Sequence, residues 1–424
     1  MDRCILHVDL NCCFAQIECE FNPELREKPV VVAGKEELRH GIVMAKNEVA
    51  KKCGIKTACT LREARNICPS VVVLPPNYDR YKLVSAHTRK IYYDYSDLVE
   101  PFGIDECWID VTNTRRALGM SGSEIARKVN ARVKEELGLT TSVGVSWNKI
   151  FAKFGSDYKK PDAITEITRE NYKSLVWESP VRDLLYVGRA TEKKLNAAGI
   201  FSIGQLASAS DVFLNDELGK MGFVLREFAR GEDISEVKEM DPDAIDVERE
   251  IKSYGNGVTF PRDIDDDKTA KAVTHMLAES VSQRMRKDGA RAKKVSIGIR
   301  NNLDLGIITR QKKLDVASNI TIEICDAAWD LMKNNWKFTK ETPVRAIQVQ
   351  AGDIETDQEF YQMFAFDKFN QRDKLENLDK KVDEMRRRYG NNAIMWGAKA
   401  TDKDTVDMDI VGWDKPHPVS FFHR

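Results

Sequence analysis

The chain has 424 residues, with 66 Lys and Arg against 67 Asp and Glu and a net charge of −1, a length that exceeds what one hydrophobic core usually serves and predicts roughly two to four domains. No apolar run approaches the roughly 18 residues that a bilayer span needs, and nine cysteines without paired metal-ligand spacing or a signal peptide fit a reducing compartment rather than a disulfide framework. Membrane-spanning proteins and small secreted scaffolds are thereby excluded, and a cytoplasmic protein without a membrane partner is expected.

The opening CILHVDL, residues 4 to 10, reads as a strand in which Asp9 is the anomaly. Residues 12 to 78 mix short helical patterns with Gly and Pro punctuation. From about residue 79 a helix leads into a hairpin containing EPFGIDECWIDVTN, residues 100 to 113. A helix near 121 to 137, the strand TSVGVS and a helix stopped by Pro161 follow. This order predicts an antiparallel or mixed sheet with helices packed on one side. Residues 167 to 233 show helical patterns only, which predicts a small all-α domain.

Residues 232 to 250 hold nine acids against two bases, a composition that suits an exposed linker. Beyond them come a strand (249 to 260), a helix (268 to 288), two strands joined at NNLD (293 to 314), a helix (318 to 334) and a strand (344 to 354). This β-α-β-β-α-β order can fold as an independent unit. Residues 281 to 313 carry ten bases against two acids, so a polyanionic partner is expected. In the tail, Leu375, Leu378, Val382 and Met385 recur at helical spacing and predict an amphipathic helix over 368 to 389, closed by Gly390.

Asp9 inside an apolar strand, and Asp105 with Glu106 at the mouth of another, cost several kcal/mol each if buried alone. Hard divalent cations supply what they lack, because Mg²⁺ takes oxygen ligands and leaves positions open for water and phosphate. Two such ions serve phosphoryl transfer; spacing alone is equally compatible with a solvated turn at 105 and 106 and an edge position for Asp9. Lys149, Lys153 and Lys160 fall at offsets of four and seven and are expected along one helical face. A lysine row beside such acids fits a nucleoside triphosphate.

Five stretches, HVDLNCCFAQIE (7 to 18), GIDECWIDVT (103 to 112), SVGVSWNKIFAKFGSDYKKPDAI (142 to 164), YVGRATEKKLNAAGI (186 to 200) and KSYGNGVTFPRD (252 to 263), resemble in order the motifs of Y-family translesion DNA polymerases of the bacterial DNA polymerase IV type. The resemblance implies a multidomain α/β (α+β) architecture. Its parts would be a ferredoxin-like palm (1 to 10 and 79 to 166), small fingers (11 to 78), an all-α thumb with a helix-hairpin-helix (167 to 233), a linker (234 to 248), a β-α-β-β-α-β little finger (249 to 354) and a tail (355 to 424). It implies low-fidelity, template-dependent DNA synthesis with two Mg²⁺ ions, for which Mn²⁺ can substitute. Asp9 and Asp105 would bridge the ions, Glu106 would complete the one that activates the primer 3′-hydroxyl, and the Leu10 carbonyl would ligate the nucleotide-bound one.

The same resemblance makes Phe14 the steric gate and gives Lys51 and Lys160 to the triphosphate, with Cys12 and Cys13 near the nascent pair. Gly188 and Arg189 of the helix-hairpin-helix, and Lys252, Ser253, Arg284, Lys293, Lys294 and Arg300 of the little finger, would hold primer-template DNA through its phosphates. Gln362, Met363, Phe364 and Phe366 resemble the short peptides that dock bacterial polymerases on the sliding clamp. A monomer is expected. Asn11, Glu48 and Tyr186 depart from the pattern: Asn11 replaces a common Asp, Glu48 and Lys51 stand where relatives often use Tyr and Arg against the triphosphate, and Tyr186 replaces a Gly. A catalytically weak DNA- and clamp-binding scaffold, or another two-metal palm enzyme, are the competing readings.

Overall fold

A computed structural model gives the fold of residues 2–34, 41–241, 251–356, 368–390, 393 and 394. The chain forms two compact units, one holding residues 2–34 and 42–241 and one holding the described residues from 251 onward. In chain order the first runs β1 (Ile5–Leu10), α1 (Cys13–Phe21), β2 (Val30–Ala33), β3 (Val43–Lys46), α2 (Glu48–Lys52), α3 (Leu61–Ile67), β4 (Val72–Leu74), α4 (Tyr78–Tyr93), β5 (Val99–Pro101), β6 (Glu106–Asp110), α5 (Thr112–Leu118), α6 (Gly122–Leu137), β7 (Thr141–Ser146), α7 (Lys149–Tyr158) and β8 (Ile164–Glu166). Then come α8 (Arg189–Ala197), α9 (Ile203–Ala207), α10 (Asp211–Phe213) and α11 (Lys220–Arg230).

Strands β5-β6-β1-β7-β8 form a mixed sheet in which β7 and β8 run parallel and the other neighbours antiparallel. The alternation of β1 sends Leu6, Val8 and Leu10 to one face, where Cys107, Ile109, Val143 and Val145 join them under Ile125 and Val129 of α6. Ile5, His7 and Asp9 therefore point to the opposite face. That face is covered too, by α7, so the expectation of helices on one side only is corrected. Gly144 explains it: a Cβ there would lie 2.6 Å from the Ser156 amide nitrogen, so only glycine lets α7 press on β7.

A second sheet, β3-β2-β4, packs Val31, Val43, Ile55 and Leu61 into its own small core. Residues 167–231 contain helices and turns, whose Val176, Leu195, Leu206 and Leu225 pack on Ile150, Phe151 and Phe154 of α7. The expected exposed linker is corrected at its start. Val237 is buried among Ile5, Phe102, Trp108 and Ala152, Glu100 accepts from the Lys238 amide at 2.9 Å, and Arg3 donates to the Ser235 carbonyl at 2.7 Å. One apolar side chain and several backbone hydrogen bonds hold residues 232–241 down despite their charge.

The second unit runs β9 (Ser253–Ile264), α12 (Asp267–Lys287), β10 (Arg291–Asn301), β11 (Ile307–Ser318), α13 (Thr321–Asn335), β12 (Val344–Glu355) and α14 (Lys368–Tyr389). Its antiparallel sheet, β11-β10-β12-β9, buries Val258, Phe260, Val295, Ile297, Ile347 and Val349 against α12 and α13. Helix α14 binds this unit differently from its expected apolar stripe. Leu378 and Met385 are exposed, whereas Arg286, only 6% exposed, pairs with Asp383 at 2.6 Å and Asp379 at 3.0 Å. Arg291–Glu376, Arg372–Glu323 and Arg386–Glu279 add further pairs.

Candidate active site

The register of β1 against β6 sets Asp9 directly opposite Glu106. One residue earlier, Asp105 hands its carbonyl to the Leu10 amide at 2.9 Å, so all three acids meet at the end of the same strand pair. They line one cleft of about 1020 Å³ together with Leu10, Cys12, Phe14, Lys51, Lys153, Lys160 and Tyr186. Lys160 Nζ lies 2.8 Å from Asp9, and Lys153 Nζ lies 2.8 Å from Glu106 and 3.5 Å from Asp9. Asp157 braces both lysines at 3.0 and 2.9 Å.

The expected lysine row is corrected. Helix α7 ends at Tyr158, so Lys160 reaches Asp9 from the segment beyond it. Lys149, at the other end, pairs with Glu100 at 2.7 Å and lies over the Trp108 ring, away from the acids. His7 was not anticipated, although strand alternation puts it on the face of Asp9. Its Nδ1 stands 2.8 Å from Ser156 Oγ and its Nε2 3.3 Å from Glu106.

The electrostatics follow from burial. Burial pushes Asp105 up to about 7, helped by the charges of Glu106 and Asp9. Asp9 is raised by burial against the pull of Lys160 and Lys153. Burial alone would also raise Glu106, but His7 and Lys153 hold it down at about 2. Burial lowers His7, while the surrounding acids keep Lys153 and Lys160 above their ordinary range against a burial effect of opposite sign.

Among the described residues no three ligating side chains already stand around one point, because Asp9 and Glu106 turn to ammonium groups. The donor set nevertheless fits hard divalent ions: it is all oxygen, and the burial and neighbouring negative charge that raise Asp105 are what a cation offsets.

Around the acids, Phe14 stacks on the buried Tyr81 with ring centroids 4.2 Å apart and meets Tyr78 edge-on at 6.1 Å. Tyr81 is fixed in turn by Glu18 at 2.8 Å. Cys12 adopts a left-handed backbone, φ 48°, and donates its thiol to Glu48 Oε1 at 3.3 Å. Cys13 packs in the core beneath the sheet. Asn11 accepts from Ser142 at 2.8 Å instead of facing the lysines. Tyr186, φ 70°, leans on Phe228, and Gly188 and Arg189 are exposed at the start of α8.

In the second unit Ser253, Lys294 and Arg300 lie on the sheet face opposite the core. Lys294 pairs with Asp353 at 2.9 Å, Lys293 with Glu355, and Arg300 donates to the Leu305 carbonyl at 3.3 Å. Lys252 is exposed, whereas Arg284 on α12 turns its guanidinium to the Gly255 carbonyl at 2.7 Å. Gln362, Met363, Phe364 and Phe366 lie outside the described residues. No helix among the described residues is long and apolar enough to cross a membrane.

Residues 8–157 match the impB/mucB/samB family, and residues 251–363 match the impB/mucB/samB family C-terminal domain. The chain is 43% identical over 403 residues to the DNA polymerase IV of Acetivibrio thermocellus, covering 95% of this chain and 99% of that protein. It is 35% identical over 399 residues to DNA polymerase IV 1 of Bacillus subtilis, covering 93% of each. A Y-family DNA polymerase chimera, Dbh-Dpo4(243-245)-Dbh, shares the fold with a TM-score of 0.71 at 24% identity, over 84% of this chain and 100% of that one.

Proposed function

Because the chain belongs to the impB/mucB/samB family, we propose that it is a template-directed DNA polymerase of low fidelity that performs translesion synthesis on primer-template DNA with deoxynucleoside triphosphates. The observation that carries this reading is the meeting of Asp9, Asp105 and Glu106 at the end of β1 and β6, with Lys160 reaching into the same cleft. Asp9, Asp105, Glu106 and the Leu10 carbonyl would hold two Mg²⁺ ions. When bound, such ions acidify the primer 3′-hydroxyl and take up charge on the departing pyrophosphate.

The chain's own residues supply binding and orientation. Lys160 exchanges Asp9 for the triphosphate, and Lys51 faces the same anion across the cleft. Phe14, pinned by Tyr81, closes the space that a ribose 2′-hydroxyl would need. Residues 1–10 and 79–166 act as palm, 11–78 as fingers and 167–233 as thumb. The polar face of the β9–β12 sheet, with Lys294 and Arg300, and the exposed start of α8, with Gly188 and Arg189, grip DNA phosphates without reading bases. The segment 362 to 366 docks on a sliding clamp.

Primer extension on intact and abasic templates, with Mg²⁺ and deoxynucleotides, tests the reading. The protein is expected to extend distributively past at least one lesion. Asp105→Asn is expected to abolish insertion while DNA affinity stays equal or rises slightly, because one negative charge is gone. Undiminished turnover in that variant would refute the assignment.

A further inference from the structure

Four lysines, Lys46, Lys51, Lys153 and Lys160, line the cleft. Lys153 and Lys160 are committed to the acids and Asp157, and Lys46 donates to Thr57 Oγ1 at 2.8 Å. Lys51 meets an anion that belongs to neither the acid cluster nor its brace: its Nζ lies 3.2 Å from Glu48 Oε1. The same oxygen accepts the Cys12 thiol at 3.3 Å. Cys12 sits on the turn that follows the Asp9 strand, so this one carboxylate ties α2 to the catalytic strand through one hydrogen bond and holds a cleft lysine through another.

We propose that Glu48 is an affinity-determining residue of the nucleotide site: it competes with the incoming triphosphate for Lys51 and thereby raises the KM for deoxynucleotides. The inference rests on the polymerase reading. A phosphate approaching Lys51 must displace a carboxylate from the same ammonium and tolerate its charge nearby, whereas a neutral side chain would leave the lysine available. The pair is partly exposed, with side chains 46% and 30% accessible, so its hold is that of a surface ion pair and a phosphate can break it. Glu48 does not touch the reacting atoms; it acts through Lys51.

A double-mutant cycle on the full chain tests this, with E48Q, K51Q and the pair, in single-nucleotide insertion kinetics and in equilibrium binding of a deoxynucleoside triphosphate to the enzyme on primed DNA. Gln keeps the size of Glu48 and an oxygen that accepts from Cys12 but removes the charge. E48Q is expected to lower KM and Kd by about two- to fivefold with kcat unchanged, and to do nothing in the K51Q background. Unchanged or raised KM and Kd in E48Q, or an equal drop in the K51Q background, would overturn the proposal. Absence of extension by the wild-type protein would refute the polymerase reading instead, and the binding cycle would still decide whether Glu48 opposes the anion.

Discussion

Gly144→Ala perturbs the cleft without touching a charged group. The added Cβ would overlap the Ala152 carbonyl oxygen and lie 2.6 Å from the Ser156 amide nitrogen and 2.9 Å from the Ala152 carbonyl carbon. All three are backbone atoms of α7, so no rotamer change absorbs the clash. Ordinary contact needs about 3.5 Å, so the overlapped carbonyl oxygen forces α7 back by roughly 1.5 Å or more. Overpacking of this kind costs about 1–3 kcal/mol or more, and about 3 kcal/mol in a unit of this size lowers Tm by roughly 6–12 °C. The same retreat withdraws Lys153 from Glu106 and Asp9, now 2.8 and 3.5 Å away, and a misplacement of about 1 Å in a reacting site costs on the order of a hundredfold in rate. Thermal unfolding by circular dichroism and single-nucleotide insertion measure the two effects. Gly298→Ala is the stability control, since its Cβ would meet Gln348 at an ordinary 3.4 Å. A Gly144→Ala protein with wild-type Tm and insertion rate would refute the account of how α7 is seated.

Phe14→Ala should admit ribonucleotides, lowering the deoxy-to-ribo ratio of kcat/KM by about tenfold or more; an unchanged ratio would return Phe14 to a packing role. Asp379→Ala removes an acceptor shared by Arg286 at 3.0 Å and the Thr321 amide at 2.7 Å. It should cost about 1–3 kcal/mol by urea unfolding, and no change would mean that the ion pairs do not hold α14. Asp105, with its pKa raised to about 7 by burial and by Glu106 and Asp9, binds its proton more tightly folded than unfolded. The metal-free protein should therefore lose stability relative to Asp105→Asn as pH rises from about 4 to about 7, and no further above that. Taking the difference from the variant removes the opposite trend of buried His7, whose lowered pKa favours folding as pH rises. A flat difference in Tm across that window would contradict the burial of Asp105.

What the sequence determined by itself was local. The strand carrying Asp9, the Asp105–Glu106 corner, the all-helical stretch after residue 166 and the β-α-β-β-α-β order were legible. A period of two or 3.6, a cap or a proline stop acts within a few residues of chain. The tertiary structure alone decided which charge meets which. Lys149 and Lys153 sit one helical turn apart, yet the first goes to Glu100 and the second to Glu106, because strand register and the close approach at Gly144 choose the partner. Leu378 and Met385 look like a buried stripe in sequence, and Val237 lies in an acidic run that reads as solvent-exposed; docking reversed both. The Cys12–Glu48 contact has the same origin. It joins residues 36 positions apart in the chain, and a local pattern carries no information about a partner that only folding brings near.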